Sequence, residues 1–402
     1  MKGEKKYIIW VLIAALVSIY ELYMYRYLNA WVADTNKTVT VGIVLEGDES
    51  TPYSGNFIRA METLKIQYGD EVQIIEKNNV PVEDIEEVLR ELVASGCDII
   101  FTNSYEFSFT AKDMAAEFPS VQFCQATGDN ANTEPVLDNY HTFMGSIYQG
   151  RYIAGQIAGL KMQELINSGV ITPDEAIIGY VGAYPYPEVI SGYTAFFLGA
   201  RQTCPTAVMR VRYSDTWSSY MKEKELAEIL IEEGCVIISQ HSDTIGPAVS
   251  CENARVNHPV FHVGYNQDMI DVAPTTSLIG TRINWTPYIV QAVKAVMNDQ
   301  KIENVVQGNV HGMDIGAGFE RGWVEMLELN TAIAPNGSRE IIDNTIASMA
   351  IGNCHVFSGN YIGVNPDDPS DTCNLNIEFI ENSDSSAPTF HYILQDVITV
   401  EE

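Results

Sequence analysis

IGYVGAYPYPEVISGYTAFFLGAR, residues 178–201, is the stretch on which the fold turns. Its opening apolar run reads as a strand, and a loop carrying Tyr184, Pro185, Tyr186 and Pro187 follows. The remainder reads as a helix with small residues on one face. In a βαβ unit, the loop after a strand's carboxyl end lines the crevice where ligands bind. Tyr184 and Tyr186 are therefore expected at such a crevice, with their backbone stiffened by the neighbouring prolines. The alternative, in which both tyrosines only cover the end of the sheet, stays open at this point.

Outward from that segment the same alternation repeats. Upstream, apolar strands are expected from Val39 and at 72–75, 98–101 and 121–124, with helices at 58–68, 82–95 and 109–118. After Gly150 the pattern restarts, with strands at 177–181, 208–211, 236–240 and 260–264 and helices between them. Strands alternating with helices predict parallel sheets covered on both faces. Two successive runs of similar order predict an α/β protein of two lobes with a cleft between them. Such a chain, with hinged crossovers, is a ligand trap.

Length and charge bound the function from another side. The chain has 402 residues, enough for two cores, and its 46% hydrophobic and 19% charged composition is that of a globular protein. A formal net charge of -30, with no basic stripe beyond the N-terminus, argues against nucleic acid, since phosphate contacts need clustered Lys and Arg. No GxSxG elbow, P-loop or GxGxxG follows a strand, and no HExxH or CxxC spacing is present, so neither catalysis nor a metal centre is predicted. His241 and Asp243 mimic part of a hydrolase dyad, but no nucleophile pairs with them. No cofactor is expected. Seven cysteines are spread along the chain. Cys354 and Cys373 flank a Pro/Asp-rich loop and would form a disulfide in an exported protein, the alternative being a set of buried free thiols.

Several motifs recur in a familiar order: YQGRY at 148–152, QHSD at 240–243, GYNQDM at 264–269 and NWTPY at 284–288. With the opening stretch, they resemble the basic membrane protein family of substrate-binding proteins over roughly residues 39–363. That resemblance implies a type I periplasmic-binding-protein fold and a receptor of an ABC importer for purine nucleosides, purine bases or related compounds, with permease subunits as partners. It places lobe one at 38–147, lobe two at 148–266, a return to lobe one at 267–307, and a return to lobe two with a C-terminal extension at 308–402. The crossovers would fall at 144–150, 264–272 and 307–311.

The resemblance also assigns residues. Tyr53 and Ser54 align with an aromatic-polar pair that stacks on and bonds a base, and Trp217 with the second-lobe aromatic that completes the sandwich. Asp243 and Asp268 align with ligand carboxylates, Asp268 with the one that bonds ribose hydroxyls. Asn284 and Trp285 align with a pair at the pocket floor. Ser104, Tyr105 and Gln125 join them from strand-end loops, and Tyr184 from the opening stretch. Each carboxylate has an alternative as a helix N-cap. The chain departs from the family at Ser54 (often Asn), Ser219 (Asp) and Ile283 (Trp), which weakens any inference of unchanged base specificity.

At the N-terminus, Lys2, Lys5 and Lys6 precede an uncharged run at 7–20, the pattern of an export signal. Extended to Val32, the segment is long enough to span a bilayer, with Tyr20, Tyr23, Tyr25, Tyr27 and Trp31 as an outer aromatic belt. No cysteine precedes Cys97, so the family's lipid anchor is not expected. The expectation is an uncleaved signal anchor over 1–37 with the binding domain outside the cell membrane; cleavage after Ala30 and secretion is the alternative. A membrane-anchored sensor or scaffold without a transport role also fits. A DNA-binding regulator of this fold does not, because no basic helix-turn-helix precedes the first strand.

Overall fold

The computed structural model describes residues 38–401, and the expected signal anchor and tether at 1–37 lie outside the described residues. The first lobe is built from β1 (Val39–Val44), α1 (Pro52–Tyr68), β2 (Val72–Lys77), α2 (Ile85–Ala94), β3 (Ile99–Thr102), α3 (Ser108–Glu117), β4 (Gln122–Ala126) and β5 (Tyr140–Gly145). The chain crosses at Ser146 and builds the second from α4 (Ile147–Asn167), β6 (Ile177–Gly182), α5 (Pro187–Thr203) and β7 (Val208–Tyr213). It continues with α6 (Tyr220–Glu232), β8 (Ile237–His241), α7 (Gly246–Ala254), β9 (Phe261–Tyr265) and β10 (Ser277–Ile283). All pairs among these strands are parallel, and β3, β8 and β9 are buried along their whole length, as helices on both faces require.

The helix at 286–298 returns to the first lobe as expected, but the bounds of the returns differ. Helix α8 (Thr286–Met297) packs on the first lobe, followed by α9 (Ile302–Val305) and the hairpin β11 (Asn309–His311) and β12 (Asp314–Ala317). The first sheet therefore runs β11-β12-β5-β4-β3-β1-β2. Strand β13 (Val324–Met326) then closes the second lobe against β10, antiparallel. The second crossover accordingly lies at Asn284 and Trp285, not at 264–272, because SLIGTRI is itself a buried strand beside β9. The third lies at 318–323, so residues 308–317 belong to the first lobe rather than the second.

Helices α4 and α5 explain the small residues of the opening stretch. A methyl built on Gly155 would stand 1.9 Å from the Phe196 carbonyl oxygen, and one on Gly199 would stand 2.0 Å from the Tyr152 carbonyl oxygen. The two backbones touch, and only glycine permits that approach.

After α10 (Ser338–Ala350), the C-terminal extension forms a small antiparallel sheet from β14 (Ile362–Val364), β15 (Thr372–Asn374) and β16 (Ile393–Leu394). Strand β17 (Ile398–Glu401) then joins the edge of the second sheet beside β7. Phe357, Leu375, Phe390 and Leu394 enter the second-lobe core. Between β15 and β16 the chain reaches back. Glu381 accepts the Ser191 hydroxyl on α5 at 2.7 Å, while Ser386 donates its hydroxyl to Asp314 on β12 at 2.6 Å. Ser146, at the first crossover, bonds Asn382 at 3.2 Å. All seven cysteines are free thiols, so the expected Cys354–Cys373 disulfide is not formed. Cys373 lies in β15 opposite Gly363, whereas Cys354 lines a separate hollow with Tyr148 and Glu378.

Candidate functional site

The carboxyl ends of the two sheets face one cavity, with about 400 Å³ of free space counting its open mouth. Glu46, Tyr53, Asn103, Ser104, Tyr105 and Thr127 line it from the first lobe. Glu188, Trp217, Asp243, Tyr265 and Asn266 line it from the second.

Helix α1 starts at Pro52, six residues before the expected start at 58, because proline at the first helical position is already set at helical φ. Tyr53 thus stands in a helix turn rather than a loose loop. Its hydroxyl donates to the Asn103 carbonyl at 2.7 Å, and its ring meets Phe57 and Trp285 edge-on at 5.3 and 6.1 Å. Asn103 links the β1 and β3 loops, accepting from the Glu46 amide at 2.9 Å and donating to the Ser54 hydroxyl at 3.2 Å. The Ser104 hydroxyl stands 2.8 Å from Glu46 Oε2 and 2.6 Å from Glu106 Oε2, one proton between two carboxylates. Burial pushes the Glu46 carboxyl above its ordinary pKa, with Ser104 opposing and the Glu106 charge adding to it.

In the second lobe, Trp217 and Asp243 are locked together: the Asp243 amide donates to the Trp217 carbonyl at 2.8 Å. Buried Glu223 holds the same loop, accepting from the Ser242 hydroxyl at 2.7 Å and the Thr244 amide at 3.1 Å. Asp243 Oδ1 accepts from Asn266 Nδ2 at 3.2 Å. Burial raises the Asp243 carboxyl well above the ordinary range, opposed by Asn266 and reinforced by Glu223, Glu188 and Glu46. Asn266 has φ 63, a left-handed turn that asparagine tolerates, and this turn sends its side chain into the cleft. His241 is buried beneath Tyr265, with ring centroids 4.2 Å apart, and its Nε2 is 3.5 Å from Glu188. Burial lowers its pKa and holds the imidazole neutral.

Contacts among the described residues join the lobes across the cleft. Trp217 Nε1 donates to Glu106 at 3.3 Å, Asn56 donates to the Asn266 carbonyl at 3.2 Å, and Tyr105 meets Tyr186 with centroids 6.1 Å apart.

A family model described as Bmp, ABC transporter substrate-binding protein PnrA-like, matches residues 39–345. The chain belongs to the Bmp family. It is 29% identical over 302 residues to a purine-binding protein of Brucella abortus, covering 75% of this chain and 77% of that one. A putative ABC transporter glucose-binding protein of Haloferax volcanii is also 29% identical, over 269 residues, 67% of this chain and 60% of that one. In three dimensions it resembles an ABC transporter solute-binding protein of Conexibacter woesei with a TM-score of 0.60 at 19% identity, covering 79% of this chain and 97% of the other. The fold is thus the periplasmic-binding-protein architecture of a solute receptor, and the chain is not an enzyme.

Not every expected residue of this Bmp protein reaches the cavity. Tyr53, Ser104, Tyr105, Trp217 and Asp243 line it, and Ser54 and Tyr184 stand at its mouth. Asp268 does not: it is exposed and caps its own turn, accepting from the Ile270 amide at 2.8 Å, while Asn266 takes the cleft position. Asn284 does not, being spent at the crossover on Gly322, Glu325 and the Thr286 amide. Trp285 is fully buried behind Tyr53, stacked on Phe57 at 4.5 Å, so it supports the floor without forming it. Gln125 is buried among Thr102, Ser104 and Ala126 and braces the Ser104 loop. The sequence assignments overlooked Glu46, Thr127, Glu188, Tyr265 and Asn266. Each stands at or just past a strand's carboxyl end or at a helix start, which was the signal available.

Proposed function

We propose that this chain is the extracytoplasmic receptor of an ABC importer for a purine nucleoside, a purine base or a similar flat heterocycle, tethered to the cell membrane by residues 1–37. The observation that carries the reading is that Tyr53 and Trp217, on opposite lobes, line one cavity. Two rings facing a common space make a planar ligand the part that holds the lobes together, at roughly 1–3 kcal/mol per stacked ring. Asn103, Ser104 and Asn266 supply donors and acceptors at the edges of that space. Similarity to the purine-binding protein of Brucella supports a purine, and similarity to the putative glucose-binding protein of Haloferax favours a sugar as the competing ligand.

The test is a thermal-shift panel of bases, nucleosides, sugars and amino acids against the full chain. A ligand bound only by the native state adds about 2.7 kcal/mol at 100 times its Kd. A rise in Tm with purines alone supports the reading. A rise with glucose and none with purines overturns the ligand and keeps the receptor.

A further inference from the structure

We propose that the ligand of this cavity carries a positive charge, as a protonated or quaternary nitrogen on or in its ring. The inference rests on the reading of this cavity as the ligand site and narrows the class of compound that fills it.

Three carboxylates, Glu46, Glu188 and Asp243, converge there from both lobes, and among the described residues no Lys or Arg lines the cavity. Asp243 is 8% exposed and gives one oxygen to Asn266, while its Oδ2 has no hydrogen bond among the described residues. Glu46 shares a single Ser104 hydroxyl with Glu106. The nearest partner of Glu188 is His241, 3.5 Å away and kept neutral by burial, so it supplies no counter-charge. The buried Arg151 does not enter the cavity either. It lies behind Tyr265, its guanidinium 5.6 Å from that ring, with Nη1 and Nη2 donating to the Gly264 carbonyl and the Ser239 hydroxyl.

Closing such a cavity over a neutral ligand removes water from the carboxylates, which must then either stay uncompensated or take up protons, and both cost free energy at neutral pH. A cation removes that cost. The walls suit it as well: Tyr53, Tyr105, Trp217 and Tyr265 line the cavity together with the carboxylates, and aromatic faces attract cations within about 6 Å. An anionic ligand meets like charge on both lobes. The same walls accept a purine ring, so charge and ring shape are separable properties of the ligand.

The test is calorimetric titration of the full chain with matched probes at pH 7.5: adenosine against the cation 1-methyladenosine, nicotinamide against the cation 1-methylnicotinamide, and AMP. The expected result is a cation bound at least about tenfold more tightly than its neutral partner, with AMP weaker than adenosine. If the preference appears only in the nicotinamide pair, the inference stands and the purine reading falls. If adenosine binds as tightly as its methylated cation or more so, the inference is overturned and the purine reading stands. If no cation binds, the inference is overturned. The isosteric variants Asp243→Asn, Glu188→Gln and Glu46→Gln are expected to shrink the cation preference, each by about threefold or more. A preference unchanged in all three overturns the assignment to these carboxylates.

Discussion

Replacing Gly155 by alanine drives a methyl into the backbone of α5. The added carbon would stand 1.9 Å from the Phe196 carbonyl oxygen, 2.8 Å from its carbonyl carbon and 3.0 Å from its Cα. Ordinary van der Waals contact begins near 3.4 Å, so one helix must retreat by about 1.5 Å, and the obstacle is backbone that cannot swing aside. A radial gap of about 0.5–1 Å already forfeits a quarter to a half of each dispersion contact along the interface. Overpacking costs about 1–3 kcal/mol where side chains can yield, and more where they cannot. Against this, alanine gains about 1 kcal/mol of helix propensity. The net expectation is a loss of about 2–4 kcal/mol. Urea denaturation followed by far-ultraviolet circular dichroism reads it, with Gly55→Ala as the control. Gly55 is also helical, but its added methyl meets the Glu49 carbonyl at an ordinary 3.4 Å. A Gly155→Ala midpoint equal to that of Gly55→Ala would refute the contact argument.

Other outcomes concern the cleft. Trp217→Ala removes a stacking wall and should weaken ligand binding by roughly 5- to 150-fold, while Trp217→Phe keeps most of the affinity; calorimetry showing Trp217→Ala within twofold of the parent removes the sandwich. Asp268→Ala should leave Kd unchanged, and Asn266→Ala should weaken it at least fivefold through loss of the side-chain bonds to Asp243 and Asn56, the bond from Asn56 to the Asn266 backbone carbonyl remaining, a contrast that separates the observed site from the aligned one. Asp243 is raised in the folded state, so the native form holds its proton longer than the unfolded chain. Its contribution to stability is therefore greatest below about pH 4 and falls as pH rises. Asp243→Asn cannot ionise, so the stability of that variant relative to the parent should increase from pH 5 to pH 8 in denaturant titrations; a flat or falling difference contradicts the burial of the charge. Ser386→Ala should lower the midpoint of unfolding without altering the far-ultraviolet spectrum, since Asp314 then loses a buried donor.

Much of this is legible in the sequence alone. Apolar runs of four to six residues between helical periodicities located the strands, because fully buried parallel strands leave no polar face to blur the pattern. Helix starts were less legible where proline stood first, and α1 began six residues early for that reason. The first crossover falls where expected, at Ser146, but the second and third were misplaced because 277–283, SLIGTRI, is a nearly fully buried strand whose Ser, Gly, Thr and Arg interrupt the apolar run, and periodicity does not say which sheet a strand joins. Site residues followed the same logic. Tyr53, Trp217 and Asp243 reach the cavity because strand-end geometry and alignment agree there. Asp268 does not, because one left-handed residue at 266 changes which side chain faces inward, and such a turn leaves little trace in composition.

The bonds from Ser386 to Asp314 and from Asn382 to Ser146 sit close to two of the three chain crossings. A contact placed near a rotation axis is displaced little by rotation and strongly by sliding. The C-terminal extension therefore adds a further tie beside the three chain crossings: it leaves the mouth free to gape but resists shear of one lobe along the other. A receptor pinned in this way has fewer ways to be open, and the wall that brings Trp217 back to Tyr53 returns along one path.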